Sequence, residues 1–340
     1  MLKRIDLDVL GRYDGCMPSN MTARDWSILV LLSVIWGGSF FFYRILAEAI
    51  APPVTVFVRL LLASFALLVV LRASGRSLPT GLQAWFAFAV MGVLNNIVPF
   101  TLIAWAEIRI GSGLASILNA TTPIFAVVLA HFLSGERLRA NRALGAAFGL
   151  AGVAVLLGPA ALAGLNLTDL AQLAVLAASL SYSMAGLFAR RFARMGIEPL
   201  VAATGQLCAS AVLSVIPALA VPHALSALTH ASAGTWLALA GLALPCTAFA
   251  YVLYFGLLAR VGPTNVMLVT LLTPVSALAL GALFLGERLT PGNALGMAII
   301  FAGLAIIDGR ALGAWRSWRR ASSNEVTGKT VIPPTAETDS

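Results

Sequence analysis

The chain repeats part of its own sequence at an offset of 151 residues. Pro123 and the triplet Glu136-Arg137-Leu138 return as Pro274 and Glu287-Arg288-Leu289, with the same spacing. Across residues 122–158, 16 of 37 positions carry the same residue in the second copy. A repeat at roughly half the chain length, in apolar sequence, is typical of two related helical bundles that face each other.

Composition places both copies in a membrane. Hydrophobic residues make up 59% of the chain and charged residues 11%, and the mean hydropathy is +0.92, whereas soluble domains carry about 25% charged residues. A helix crosses the hydrocarbon core with roughly 20 apolar residues. Ten such stretches are present, at residues 26–46, 53–71, 84–105, 112–133, 141–158, 170–189, 200–220, 235–257, 263–285 and 291–309. Because these runs are continuous rather than alternating, they predict an all-α membrane protein with ten transmembrane helices and exclude a barrel.

Positive charges predict the orientation, because loops rich in Lys and Arg stay on the cytoplasmic side. With the N-terminus inside, 18 of the 22 Lys and Arg residues fall in cytoplasmic segments. Only Arg44, Arg109 and Arg288 fall outside, and Arg59 lies within the second span. Both termini are therefore predicted to be cytoplasmic, in a cell (inner) membrane. The net charge of +8 is a topology signal and does not indicate a nucleic-acid partner.

Five spans per copy is an odd number, so the second copy must start from the opposite side of the membrane. The predicted organisation is two inverted five-helix repeats, 26–158 and 170–309. They are flanked by a cytoplasmic N-terminal segment, 1–25, and a polar, disordered cytoplasmic tail, 310–340. The sequence leaves open whether the start is Met1, Met17 or Met21.

Two matched interruptions suggest a binding site. A proline within a helix frees the carbonyl four residues earlier, and matched breaks at mid-membrane point to a transporter's substrate site. The residues concerned are Asn119, Thr122 and Pro123 in span four, and Thr270, Thr273 and Pro274 in span nine. The alternative interpretation is a kink that serves helix packing, repaired by a hydroxyl or water.

Spans three and eight carry further polar and aromatic candidates. Asn95 and Asn96 are adjacent amides in an apolar span, and Trp105 follows them. Amides in hydrocarbon need partners, so they either line a polar cavity or hydrogen-bond between helices. Tyr251 and Tyr254 add hydroxyls to span eight. We therefore include all five among the cavity candidates.

Three charged residues are candidate gates. Arg59 interrupts an apolar run, and charges inside a span are expensive and usually functional; snorkelling to the interface is the alternative. Glu136 and Glu287, in the repeated triplets, either brace a turn or latch a gate. Cys16, Cys208 and Cys246 lack metal-ligand spacing, and no nucleotide-binding Gly-x4-Gly-Lys loop is present. No metal, cofactor or ATP-driven mechanism is predicted.

The stretch Trp36-Gly37-Gly38-Ser39-Phe40, Arg59 and the repeated Pro-x12-Glu-Arg-Leu motif together resemble EamA-type carriers of the drug/metabolite transporter superfamily. The resemblance implies a ten-helix inverted-repeat bundle with a central cavity, usually exporting amino acids or other small metabolites. The second copy departs from the pattern, with Tyr182-Ser183-Met184 in place of Trp36-Gly37-Gly38.

The predicted function is a secondary transporter for an amino acid or similar zwitterionic or neutral metabolite, working by alternating access with Trp36 as one apolar wall. A nucleotide-sugar or sugar-phosphate carrier of the same superfamily is the alternative, although it needs more cavity cations than Arg59. An intramembrane enzyme is remote, because the spans lack a nucleophile with a base or paired carboxylates. The expected partners are a small-molecule substrate and the lipid bilayer, and the sequence does not distinguish a monomer from a homodimer.

Overall fold

The computed structural model describes residues 21–47, 49–110, 112–134, 140–163, 169–284 and 290–308. Regular secondary structure in these ranges is helical throughout. The helices are α1 (Ala23–Ala47), α2 (Pro52–Ala73), α3 (Leu82–Gly92), α4 (Val98–Glu107), α5 (Ser112–Asn119), α6 (Thr122–Ser134), α7 (Ala140–Ala163), α8 (Leu170–Phe188), α9 (Arg190–Arg194), α10 (Pro199–Leu219), α11 (Ala224–Thr229), α12 (Ala233–Ala243), α13 (Ala250–Val266), α14 (Val269–Phe284) and α15 (Pro291–Asp308).

Seven helical stretches of the described chain are long and apolar enough to cross a membrane. They are Ala23–Ala47, Pro52–Ala73, Leu82–Glu107, Leu114–Phe132, Leu170–Arg194, Pro199–Leu219 and Ala233–Pro263. Shorter apolar helices, Ala143–Leu156 and Pro291–Ile307, lie in predicted spans five and ten. Each predicted span overlaps a helix, and the chain is a multi-pass helical membrane protein. The predicted terminal segments fall largely outside the described residues, as do Glu136 and Glu287.

Side-chain caps mark the first helix of each copy. Thr22 and Asp25 cap α1 reciprocally: the Asp25 N–H donates to Thr22 Oγ1 (3.2 Å), and the Thr22 N–H donates to Asp25 Oδ2 (3.1 Å). Asp169 caps α8 by accepting from the Ala171 N–H at 2.8 Å. These bonds satisfy donors that a helix N-terminus leaves unpaired. Both copies therefore begin with an acidic residue at a helix start.

One π-helical turn interrupts the third helix of each copy. Val93–Ile97 joins α3 to α4, and Leu244–Phe249 joins α12 to α13, so the two turns begin 151 residues apart. A π-helical turn shifts the hydrogen-bond ladder and often occurs at functional sites. The matched interruption of the two copies is clearest here, and it re-aims the side chains around Asn95 and Thr247.

Spans four and nine break differently from each other. In span four the irregular residues are Ala120 and Thr121, directly before α6, so Pro123 lies in the first turn of a new helix. In span nine the irregular residues are Met267 and Leu268, and Pro274 lies inside α14. Both prolines are buried. The two prolines thus occupy equivalent sequence positions but different places relative to the local break.

Glycines bring α7 and α15 into close contact. A Cβ built on Gly145 would lie 2.6 Å from the Gly303 carbonyl oxygen, and one on Gly152 would lie 2.9 Å from that of Gly296. Small residues of this kind allow membrane helices to approach closely. Since Gly145 faces Gly303 and Gly152 faces Gly296, the two helices run antiparallel. The 151-residue offset converts one glycine pair into the other.

The same exchange relates other helix contacts. α1 packs against α14, and α8 packs against α5 and α6, which are the corresponding helices of the opposite copies. Likewise α3 packs on α10 and α12 packs on α2, while α2 also contacts its own counterpart α10. The two copies therefore interlock through equivalent surfaces, and the space between them is bordered by both.

Candidate functional site

A cavity of about 90 Å³ lies between the two copies. α1, α2, α4, α5 and the first π-helical turn border it from the first copy, and α8, α13 and α14 from the second. The lining residues are Trp36, Ser39, Phe40, Tyr43, Arg59, Asn95, Phe100, Ile103, Asn119, Tyr182, Tyr251, Tyr254, Met267, Val269, Thr270 and Thr273. The wall is mostly aromatic and aliphatic, with a few polar groups, as in small-molecule sites generally.

Seven of the predicted cavity residues line this space, and Arg59 joins them. The seven are Trp36, Asn95, Asn119, Tyr251, Tyr254, Thr270 and Thr273. Five others do not line it, namely Asn96, Trp105, Thr122, Pro123 and Pro274. The seven residues come from five of the predicted spans, and the second span contributes the cation, Arg59.

The polar candidates that miss the cavity are used for packing. Asn96 is fully buried: its Nδ2 donates to Ser210 Oγ at 2.7 Å, and its Oδ1 accepts from the Tyr251 hydroxyl at 2.5 Å. Trp105 lies beneath Arg109, whose Cζ is 4.0 Å from a Trp105 ring centroid. Both adjacent amides bond between helices, since Asn95 Nδ2 donates to Gln206 Oε1 at 3.5 Å and to the Tyr251 hydroxyl at 3.4 Å, but only Asn95 also lines the cavity.

The carbonyl expected to be freed in span four already has a partner. Thr122 Oγ1 donates to the Asn119 carbonyl oxygen at 2.6 Å, which is the hydroxyl repair that a helix break permits. In span four the carbonyl is thus bonded by a hydroxyl, as in the alternative interpretation of the proline break. The Asn119 side chain is what lines the cavity, and Asn119 Oδ1 is enclosed without a hydrogen-bond partner in the described chain.

Arg59 is held deep in the bundle. It is the eighth residue of α2, about 10 Å from the helix start at 1.5 Å per residue, and only 3% of its surface is exposed. Its Nε donates to Thr247 Oγ1 at 2.6 Å and its Nη1 to the Tyr43 hydroxyl. Its Cζ lies 3.7 Å from the Phe100 ring centroid. The side chain is therefore directed inward, which excludes the snorkelling alternative.

The π-helical turn of the second copy positions the partner of Arg59. Thr247 Oγ1 donates its own proton to the Leu242 carbonyl oxygen at 2.8 Å. Its hydroxyl oxygen is therefore left as an acceptor for the Arg59 Nε–H. An adjacent contact crosses the copies at the same level, since Trp36 Nε1 donates to the Cys246 carbonyl at 3.2 Å.

Aromatic rings form one wall of the cavity. The rings of Trp36 and Tyr254 have centroids 5.7 Å apart, and those of Tyr251 and Tyr254 are 6.2 Å apart. The Tyr254 hydroxyl is enclosed and has no hydrogen-bond partner in the described chain. Ring faces carry negative potential, so this wall suits apolar groups and small cations.

Sequence reasoning missed eight lining residues: Ser39, Phe40, Tyr43, Phe100, Ile103, Tyr182, Met267 and Val269. A signal existed for some of them. Trp36, Phe40 and Tyr43 follow the four- and three-residue spacing of one helix face, so placing Trp36 in the cavity places the other two there. Tyr182 stands where the first copy has Trp36. Phe100 and Met267 lack any such signal.

Within the described ranges, no group of three or more His, Cys, Asp or Glu side chains is arranged to hold a metal ion. The site therefore offers hydrogen bonds, ring faces and one guanidinium. Such groups bind and orient a solute.

The EamA-like transporter family matches the chain over residues 26–158 and 169–308. The chain belongs to this family. It is a membrane transporter of the EamA and drug/metabolite type, and not an enzyme. The resemblance seen in the Trp-Gly-Gly stretch and in the repeated triplets is confirmed.

Three curated relatives are 26%, 29% and 28% identical to the chain over the aligned residues. A chloroplastic WAT1-related protein of Arabidopsis thaliana is 26% identical over 275 residues, which are 78% of this chain and 65% of that protein. The Escherichia coli K12 protein named "uncharacterized inner membrane transporter YedA" is 29% identical, covering 76% of this chain and 82% of its own length. A Salmonella typhimurium "probable amino-acid metabolite efflux pump" is 28% identical, covering 78% and 89%.

A solved crystal structure has the same fold. It superposes with a TM-score of 0.64 at 21% identity, over 84% of this chain and 98% of the other. At this identity the similarity concerns the fold alone. The packing of the helices around the cavity is thus shared with a known protein, while the lining side chains are read from this chain.

Proposed function

We propose that the protein is a secondary transporter that moves an amino acid or similar zwitterionic or neutral metabolite by alternating access. The observation that carries this proposal is the position of the cavity, because both repeat copies border it and supply its polar and aromatic groups. Carriers built from repeats bind substrate at the interface between the repeats. Rocking one copy against the other would then expose the same residues to either side in turn.

The proposed architecture is ten spans in two inverted five-helix repeats, with both termini cytoplasmic. α7 and α15 support it, because they occupy equivalent positions in the two copies yet run antiparallel. The exchange of helix contacts between copies also supports it. Equivalent helices that run in opposite directions are what two copies crossing the membrane in opposite senses would contain.

We propose that an ion pair between the copies holds one end of the cavity region closed, which would fit alternating access. Arg260 Nε lies 2.9 Å from Asp25 Oδ1, which joins α13 of the second copy to α1 of the first. The equivalent residue of the first copy is Arg109, which instead donates to the Trp105 carbonyl oxygen at 3.3 Å. Asp169 is used as a helix cap. We assign the closed end to the cytoplasmic side, which makes this conformation closed to the cytoplasm.

The substrate class rests on the size and chemistry of the cavity. Pockets for drug-sized ligands enclose roughly 300–1,000 Å³, so a space of about 90 Å³ suits a small solute. A relative is named as an amino-acid metabolite efflux pump, which supports amino-acid-like substrates and export. The sugar-phosphate alternative ranks lower, because Arg59 is the one cation among the lining residues.

Counterflow in proteoliposomes tests the proposal. Vesicles loaded with an unlabelled mixture of the twenty common amino acids are diluted into each labelled amino acid in turn. We expect accumulation of at least one label, which is strongly reduced when Asn119→Ala and Thr270→Ala are combined. Thr229→Ala, an exposed change in α11, is the matched control. Unchanged counterflow in the double variant would discard the cavity as the site, and absence of counterflow for every amino acid would discard the substrate class.

Topology is tested separately by cysteine labelling in a chain without its natural cysteines. Cysteine at Arg76 is expected to react with an impermeant reagent only from the cytoplasm, and cysteine at Ser226 only from outside. Both positions are exposed. Labelling of both from the same side would contradict the ten-span arrangement.

A further inference from the structure

Arg59 has donors that the protein does not use. A guanidinium carries five N–H donors, and Arg59 donates only to Thr247 and Tyr43. No hydrogen bond joins its Nη2 to another described residue. Arg59 also lines the cavity, so it is the cation that a solute there would meet.

No Asp or Glu of the described chain forms an ion pair with Arg59, although the buried carboxylate of Glu107 acts electrostatically on Tyr43, whose hydroxyl accepts from Arg59. The ion pairs there join Arg76 to Glu198 and Arg260 to Asp25, and no Asp or Glu lines the cavity. A charge buried in a membrane protein without a counter-ion is expensive. The Phe100 and Tyr43 rings offset part of this through cation–π attraction, but they leave the Nη2 donors without acceptors.

The opposite chemistry is present on the same cavity wall. Asn119 Oδ1 is an enclosed acceptor without a partner in the described residues, and the Tyr254 hydroxyl is likewise unpartnered. Asn119 is 8% exposed and Tyr254 3%. An acceptor and ring faces suit an ammonium group, whereas the guanidinium suits a carboxylate. The cavity therefore presents one anion-binding and one cation-binding region.

We propose that Arg59 is the carboxylate-binding residue of the carrier and that its substrate carries a single carboxylate, as a neutral α-amino acid does. This inference rests on the proposed transport function and narrows its substrate class. One guanidinium matches one negative charge. A phosphate monoester carries close to two and is typically clamped by more than one cation. The same residue that argues against sugar phosphates thus selects for monocarboxylates.

The experiment compares each acid with its own amide, which removes the negative charge at nearly constant size. Binding to the purified full-length protein is titrated by thermal stabilisation with L-threonine, L-leucine and L-phenylalanine, their amides, and glucose 6-phosphate. We expect at least one acid to bind at least about tenfold more tightly than its amide, the scale of a hydrogen bond to a charged group. In Arg59→Gln the acid falls to the affinity of the amide, while amide binding changes by less than about twofold.

Several results would overturn the assignment. Equal affinity for acid and amide, equal weakening of both in Arg59→Gln, binding of glucose 6-phosphate alone, or no binding by any acid would each do so. Counterflow that persists without acid preference would keep the transport proposal and remove only the role of Arg59. The two failures are therefore distinguishable.

Two variants guard against misfolding. Arg59→Lys keeps the positive charge but cannot reproduce both protein contacts, so we expect a reduced acid preference that remains above that of Arg59→Gln. Arg72→Gln, an exposed change near the end of the same helix, should leave both affinities unaltered. If Arg59→Gln does not fold, the acid-to-amide ratios of the natural protein and of Arg59→Lys decide the matter.

Discussion

Two related contacts between the copies of the bundle serve different purposes. Arg59 of α2 bonds to Thr247 in the second π-helical turn, and Ser210 of α10 bonds to Asn96 in the first. The 151-residue offset relates Asn96 to Thr247, whereas Arg59 and Gln206 are each the eighth residue of their helix, and Ser210 lies one turn after Gln206. Each pair therefore joins the second helix of one copy to the third helix of the other.

The difference between the pairs lies in what surrounds them. Around Ser210 the helices are in tight contact, since a Cβ built on Gly92 would lie 2.5 Å from Ser210 Oγ. Around Arg59 the cavity remains open. The two contacts thus join corresponding helices of the two copies, and the side chains decide that one is a packing contact and the other borders the solute space.

The largest expected effect comes from placing a cation in the closely packed contact between Ser210 and Asn96. Ser210→Arg would insert a long charged side chain where Gly92 leaves no room, and overpacking costs about 1–3 kcal/mol before the burial of charge is added. We expect little folded protein in size-exclusion chromatography. Ala220→Arg, at the exposed end of the same helix, should yield normal amounts. A folded and active Ser210→Arg protein would show that the Ser210–Asn96 contact accommodates an arginine as the Arg59–Thr247 contact does.

A smaller effect is expected from removing the hydrogen bonds of the Asn96 side chain. Asn96→Ala removes the bonds to Ser210 Oγ and to the Tyr251 hydroxyl. Hydrogen bonds between membrane helices average about 0.6 kcal/mol and reach about 1.7, so we expect about 1–2 kcal/mol of lost stability. Transport per folded molecule and the acid-to-amide ratio should stay unchanged. A changed ratio with unchanged stability would move Asn96 from the packing set to the binding set.

Sequence reasoning located the helices and most polar cavity residues for an identifiable reason. Apolar length marks each span, and a polar residue such as Asn95 or Asn119 is conspicuous within it. Polarity does not reveal whether the residue meets a solute or a neighbouring helix, because both relieve the same burial penalty. Asn95 and Asn96 are adjacent in sequence and both bond to neighbouring helices, yet only Asn95 also lines the cavity.

The π-helical turns lay beyond sequence reasoning. Val93–Ile97 contains the two amides Asn95 and Asn96, and Leu244–Phe249 contains Pro245, but none of these residue types specifies an extra residue in a turn. Proline was the visible signal, yet Pro274 lies inside α14 while the irregular residues of span nine precede that helix. A missing donor shows that a helix is weakened, whereas the position of the break depends on packing against the other copy.

An intermediate effect is expected at the ends of the bundle, where the copies also differ. Arg260→Gln leaves Asp25, whose side chain is 8% exposed, without its ion-pair partner. Arg260 is itself 43% exposed, so solvent limits the interaction to about 1 kcal/mol, which is roughly fivefold in population. We expect cysteine at Ser39 to label about fivefold faster from the cytoplasmic side.

Arg109→Gln is the matched control for that measurement, because it changes the equivalent arginine of the first copy, which makes no ion pair in the described chain. It should leave cytoplasmic labelling at Ser39 unchanged. Equal acceleration by both variants would mean that the Asp25–Arg260 contact does not hold one end closed. Slower labelling in Arg260→Gln would mean that the Asp25–Arg260 ion pair favours a conformation that is open to the cytoplasm.

The smallest expected effect tests whether Thr247 positions Arg59, while Arg59 itself binds the carboxylate. Thr247→Val removes the hydroxyl that accepts from Arg59 Nε and keeps the shape of the side chain, while Thr247→Ser keeps the hydroxyl. Because Tyr43 and Phe100 still hold the guanidinium, we expect Thr247→Val to weaken acid binding only about threefold, within the range of one neutral partner. Amide binding should not change, and Thr247→Ser should match the natural protein. If Thr247→Val instead tightens acid binding, the Arg59 Nε–H that no longer donates to Thr247 donates to the carboxylate of the substrate. That result would still identify Arg59 as the carboxylate-binding residue. It would also show that Thr247 and the substrate compete for the same donor.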